Sequence, residues 1–94
     1  MVRMLMTINI SKGWETWSEM AKSLEPQMNE QGAKIIWAGA NPDETAVYVL
    51  VEVKDPSFVK SFGERPDIVA IREEGGADVS STTPLAQIDK YYIG

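Results

Sequence analysis

Two-residue alternation is densest in Thr45 to Val53, TAVYVLVEV. Val47, Val49, Val51 and Val53 fall on one face, and Ala46, Tyr48 and Leu50 on the other, before Glu52 ends the apolar run. The segment is β-branched and apolar with no glycine or proline, so it reads as a strand. A strand with one wet face alternates apolar with polar; this one is greasy on both sides and belongs in the interior of a sheet with cover on each. The same reading makes Arg3 to Ile10 a strand, with Met4, Met6, Ile8 and Ile10 opposed to Leu5, Thr7 and Asn9. Lys34 to Ala40 is another, with Ile35 and Trp37 on one face and Ile36 and Ala38 on the other. Asn41-Pro42-Asp43 has the chemistry of a tight turn, so the strands on either side of it form a hairpin.

Between the strands the period lengthens to that of helices. After Ser11, a candidate N-cap, Trp14, Trp17, Met20, Ala21, Leu24 and Met28 recur every three or four residues and form a core-facing stripe. Pro26 lies inside this pattern and is expected to kink or restart the helix, and Gly32 to stop it. Asp55-Pro56 reads as an N-cap with a first-turn proline, opening a short helix through Phe58, Val59 and Phe62 to Gly63. Arg65-Pro66-Asp67 opens another through Ile68, Val69 and Ile71, ended by Gly75-Gly76. Asp78 to Thr83 is a polar loop, and Pro84 begins an edge strand expected to run to Ile93. The order of elements is that of an α+β, ferredoxin-like βαββαβ domain spanning residues 1–94, a four-stranded antiparallel sheet with its first and third strands central.

Two helices cover one face of such a sheet, and the face carrying Tyr48 and Leu50 still needs cover. A standard interface hides about 800 Å² per partner; at about 25 cal/mol per Å² even its apolar half is worth on the order of 10 kcal/mol before association costs. The simplest closed answer is a homodimer, two sheets face to face.

Composition narrows the function. Nine Lys and Arg against 14 Asp and Glu give a formal charge of −5, which repels phosphate backbones and anionic lipid, so neither nucleic acid nor membrane is an expected partner. Without cysteine there is no disulfide framework and no thiol nucleophile. The absence of histidine removes the commonest metal ligand and general base, and no metal or cofactor is expected. Val2-Arg3-Met4-Leu5-Met6 is too short an apolar start for a secretory leader, which makes the cytoplasm the expected location.

Candidate ligand contacts are Trp37, Tyr48, Asn9, Trp17, Arg72 and Arg65. Trp14, Trp17 and Trp37 could line an apolar pocket between helix and sheet, although Trp14 and Trp17 also fit the core stripe. Tyr48 has a hydroxyl to satisfy and Asn9 lies on a neighbouring strand; an interface position accounts for the tyrosine as well. Arg65 and Arg72 could clamp a carboxylate, or pair with Asp67, Glu73 or Glu74 at the surface. Gly75-Gly76 follows a helix and lacks the pattern of a phosphate loop. The Ser80 to Thr83 run offers hydroxyls with no histidine or cysteine to activate them, and nothing in the sequence places Lys90 beside them.

The chain resembles the dimeric α/β-barrel superfamily over nearly its whole length, in element order, in TAVYVLVEV, in the Asp55-Pro56 helix start and in RPDIVAIREEGG before the last strand. It is most similar to that superfamily's small, functionally uncharacterised bacterial families. The resemblance implies two ferredoxin-like subunits packed sheet to sheet. The superfamily includes cofactor-free monooxygenases and haem-degrading enzymes, the latter using a histidine that this chain lacks. The expected function is a homodimeric protein that binds a small hydrophobic molecule or serves as an accessory factor. The alternative is a cofactor-independent monooxygenase or isomerase acting on an aromatic substrate.

Overall fold

The computed structural model describes residues 1–94. It is an α+β fold with one antiparallel sheet of four strands in the order β2-β3-β1-β4. The strands are β1 (Val2–Asn9), β2 (Ala33–Ala40), β3 (Ala46–Val53) and β4 (Thr83–Gln87). As the two-sided pattern of TAVYVLVEV demands, β1 and β3 are interior and β2 and β4 are edges. Helices α1 (Gly13–Glu30), α2 (Ser57–Gly63) and α3 (Pro66–Glu74) supply the second layer, and a 3₁₀ turn at Val79–Ser81 leads into β4. No helix is long and apolar enough to cross a membrane.

The register of β1 on β3 sets Met6 opposite Val49 and Ile8 opposite Val47. These side chains and Val51, Val53 and Ile10 make the main core with Trp17 of α1, and Val47 and Val53 are fully buried. A smaller core of Leu24, Phe62 and Ile68 joins α1 to α2 and α3. The helical stripe is as expected: Trp17 and Leu24 are buried, and Trp14 stacks on Trp17 with ring centroids 5.6 Å apart.

Pro26 neither stops nor restarts α1, which runs 18 residues through it. Proline deprives the carbonyl four residues back of its donor, but Lys22 and Pro26 are both exposed and water can serve that oxygen.

Ser11 does not cap α1. The N-cap residue is Lys12, which makes no side-chain cap bond, and the Trp14 N–H donates instead to Glu44 Oε1 at 2.7 Å, from the β2–β3 turn. Asn41 builds that turn as its chemistry suggests, its Oδ1 accepting from the N–H groups of Thr45 and Ala46. Ser11 Oγ donates to the Gly76 carbonyl. Gly76 has φ +89°, and a Cβ there would lie 2.9 Å from the Lys12 nitrogen, so this junction of α3 with the end of β1 requires glycine.

Two one-residue irregularities change which way side chains face. In β2 the partner of Ile35 is Val51 and that of Trp37 is Leu50, so Ile36 is an extra residue and Trp37 turns to the face away from the helices. Simple alternation puts Ile35 and Trp37 together; the bulge separates them. In β4 a shift between Ala86 and Pro84 leaves Leu85 unpaired. β4 also ends at Gln87 rather than Ile93, and the residues after it turn across the sheet's open face. Arg3 holds this tail, its guanidinium 5.1 Å from the Tyr91 ring centroid and its Nη1 donating to the Asp89 carbonyl.

Candidate functional site

A cavity of about 440 Å³ lies on the helix-covered side of the sheet, between α2, the end of α3 and the β1–β4 edge. Its origin is local. Phe58 and Phe62 stack at 5.0 Å and turn α2 toward the smaller core, and the chain breaks at Glu64 and Arg65 before α3 begins with Pro66. Two short helices with a break between them leave a gap above Met4 and Met6 where one longer helix would close it. Val59, Val79 and Pro84 add further apolar wall.

Of the two cations that line this space, Arg72 is the one held in place by hydrogen bonds. Arg72, in the last turn of α3, is half-buried, with Nη1 donating to the Gly63 carbonyl at 3.1 Å and Nη2 to Thr82 Oγ1 at 2.6 Å. Desolvation of the guanidinium pulls its pKa below the usual arginine value. Lys60 and Glu64 also line the cavity. The chain's two ion pairs lie elsewhere, Arg3 with Glu52 at 2.9 Å and Arg65 with Asp67 at 2.8 Å.

The six residues singled out from sequence do not converge. Trp37, Tyr48 and Asn9 are all exposed; Tyr48 is paired across the sheet with Thr7 and Gly39 on the open face, and Asn9 lies at the end of β1. Trp17 is in the core beneath the opposite face. An arrangement with Trp14, Trp17 and Trp37 in one pocket is therefore not what the fold builds, because the bulge at Ile36 carries Trp37 across the sheet. Arg65 is engaged at the surface, with both Asp67 oxygens accepting from it at 2.8 Å and Gln27 Oε1 accepting at 3.1 Å, and Asp67 raises its pKa. Arg72 alone reaches the cavity, and it pairs with none of Asp67, Glu73 or Glu74. Lys90 lines the groove on the open face, away from the Ser80 to Thr83 run.

Sequence reading missed Met4, Met6, Val59 and Gly63 as cavity residues. Both methionines count as ordinary core positions by alternation, and nothing marks the gap above them except the two helix starts, Asp55-Pro56 and Arg65-Pro66, so close together. The open face carries a second, broader depression of about 550 Å³ between Leu5, Trp37 and Leu50 and the tail residues Ile88, Tyr91 and Ile93.

No family model matches the chain, and neither a curated protein nor a solved structure does.

Proposed function

We propose that this chain is a ferredoxin-like subunit of a homodimer of the dimeric α/β-barrel kind, and that each subunit binds a small, largely apolar molecule between its helices and its sheet. The cavity above Met4 and Met6 carries the ligand reading. At about 440 Å³ it falls within the roughly 300–1,000 Å³ typical of small-molecule sites, and it combines an apolar wall with a few polar groups, among them the hydrogen-bonded cation Arg72.

Pairing through the open face is supported by the side chains left there. Trp37 is 49% exposed and Tyr48 39%, with Tyr91 and Ile93 of the tail comparably open. Contiguous apolar and aromatic surface of this kind marks association sites on soluble proteins. The subunit is a slab of 31 × 31 × 21 Å, so its broad side is of the order of the about 800 Å² that each partner buries in a standard interface.

Sedimentation over a dilution series tests the pairing, with a dimer expected at micromolar concentration. Methyl NMR during titration with a panel of aromatic acids and quinols tests the site. Signals of Met4, Met6 and Val59 should shift together, and a panel that leaves them all in place at millimolar concentration removes the ligand reading. Oxygen uptake with any compound that binds separates an oxygenase from a binding protein.

A further inference from the structure

We infer that Arg72 is the anion-recognising group of the cavity, and that the ligand it selects is an organic monocarboxylate with an apolar body. The inference rests on the ligand-binding reading above and narrows it to a chemical class.

The first observation is what Arg72 touches. A guanidinium has five N–H donors; two go to neutral oxygens, those of Gly63 and Thr82, and no carboxylate lies within ion-pair distance. In a chain with 14 acidic side chains, five of them within ten residues of Arg72, leaving a half-buried cation to neutral acceptors is a costly arrangement unless an anion completes it. Arg65, seven residues earlier, shows the ordinary surface alternative, since its own nearest acid folds back onto it.

The second observation is how firmly the group is placed. A Cβ on Gly63 would stand 3.1 Å from Nη1, so the bare glycine allows the guanidinium to rest on that backbone, while Thr82 fixes the other nitrogen. A planar cation pinned at two corners is organised before any ligand arrives and keeps Nε–H and one N–H on each Nη for it, the fork that a carboxylate matches.

The third observation sets charge and body. Lys60 adds one mobile positive charge and Glu64 one negative charge to the same wall, which suits a monoanion and disfavours a phosphate dianion. Met4, Met6 and Val59 offer hydrocarbon and flexible thioethers to the rest of the molecule.

The test uses the full chain and two probes of equal shape, 1-naphthylacetate and 1-naphthylacetamide, titrated by calorimetry and followed on the Met4 and Met6 methyl signals. The acid should bind at least tenfold more tightly than the amide, and added salt should weaken the acid alone. Arg72→Gln should bring the acid down to the affinity of the amide, and Arg72→Lys should keep part of the preference. Gly63→Ala, which crowds Nη1 and leaves the charge, should also reduce it. Equal affinity of acid and amide for the unaltered protein overturns the role of Arg72 while leaving the cavity a ligand site, as does an undiminished acid preference in Arg72→Gln. If neither probe moves the methionine methyls, the cavity itself is not a ligand site and this inference falls with it. The wild-type comparison of the two probes decides the matter even where a substitution at Arg72 unfolds the chain.

Discussion

The two faces of β3 are made from neighbouring residues of one strand and meet different fates. Val47, Val49, Val51 and Val53 look toward α1, α2 and α3 and are 0 to 7% exposed. Tyr48, one residue from Val47, is 39% exposed, and Leu50 is buried although the helices lie on the other side of the sheet. Leu50 lies beside Leu5 and Trp37 in the depression that the tail residues Ile88, Tyr91 and Ile93 also line, and Tyr48 lies outside it. The chain thus finishes one face with its own helices and half finishes the other with its last residues. Burial on the first face is a property of the subunit; on the second it depends on what else arrives.

The sharpest way to separate the faces is to truncate neighbours. Val47→Ala should cost about 2 kcal/mol or more in urea unfolding, through lost apolar contact plus the void left among Met6, Ile8 and Trp17, and the cost should not depend on protein concentration. Tyr48→Ala, read at a concentration where the chain is monomeric, should stay within about 0.5 kcal/mol of the parent. A large, concentration-independent loss at Tyr48 would erase the distinction between the faces.

Next in size is Trp37→Ala. If the open face is the dimer contact, this exposed indole on the edge strand β2 should contribute about 2 kcal/mol to association, roughly a thirtyfold change in the dimer dissociation constant by sedimentation, with little change in the stability of the monomer. An unchanged constant would place the contact elsewhere.

A smaller effect is expected where the β2–β3 turn supports the helix-covered side. Glu44 sits at φ +54° and its carboxylate receives the Trp14 N–H. Glu44→Ala loses that acceptor and keeps the left-handed backbone, and should cost about 1 kcal/mol in thermal or urea unfolding. Glu44→Gly loses the acceptor too but relieves the backbone, so it should be the milder of the two.

Smallest of all are the acid-side effects of two exposed carboxylates. The Ser57 N–H and hydroxyl hold the Asp55 carboxyl below its ordinary value of 3.8, and hydrogen bonds from Arg65 do the same for Asp67. A group whose folded pKa is depressed stabilises the fold above its unfolded value and loses that contribution as pH falls through the folded one. The urea midpoint should therefore decline slightly below about pH 4, and less so in Asp55→Asn. A decline beginning near neutrality would point to other groups.

Much of the architecture was legible because burial and backbone geometry write themselves into local pattern. The valines of β3, the α1 stripe and the two Xaa-Pro helix starts each carry their meaning within a few residues, and they suffice to place β1 and β3 in the middle of the sheet. The site was far less legible. Arg72 was visible as a candidate, but its partners are a glycine carbonyl nine residues before it and a threonine hydroxyl ten residues after it, a pairing that only the packed fold creates. Trp37 misled for a related reason: its neighbours predict its side of the sheet only if no residue is inserted, and Ile36 is inserted. Ser11 looked like a cap because capping is usually local, whereas Glu44 does that work from 30 residues away.

That inserted isoleucine carries a further consequence. Before it, the odd-numbered residues Ala33 and Ile35 point inward; after it, the even-numbered Ala38 and Ala40 do. Counting parity thus flips once within eight residues, and Ile36 is the hinge of the flip. Excising Ile36 would leave every other side chain of β2 pointing as it does now, in a straighter and less coiled ribbon, whereas pairing Ile36 into the ladder opposite Leu50 would carry the indole inward. What makes Trp37 a feature of the outer surface is arithmetic as much as hydrophobicity.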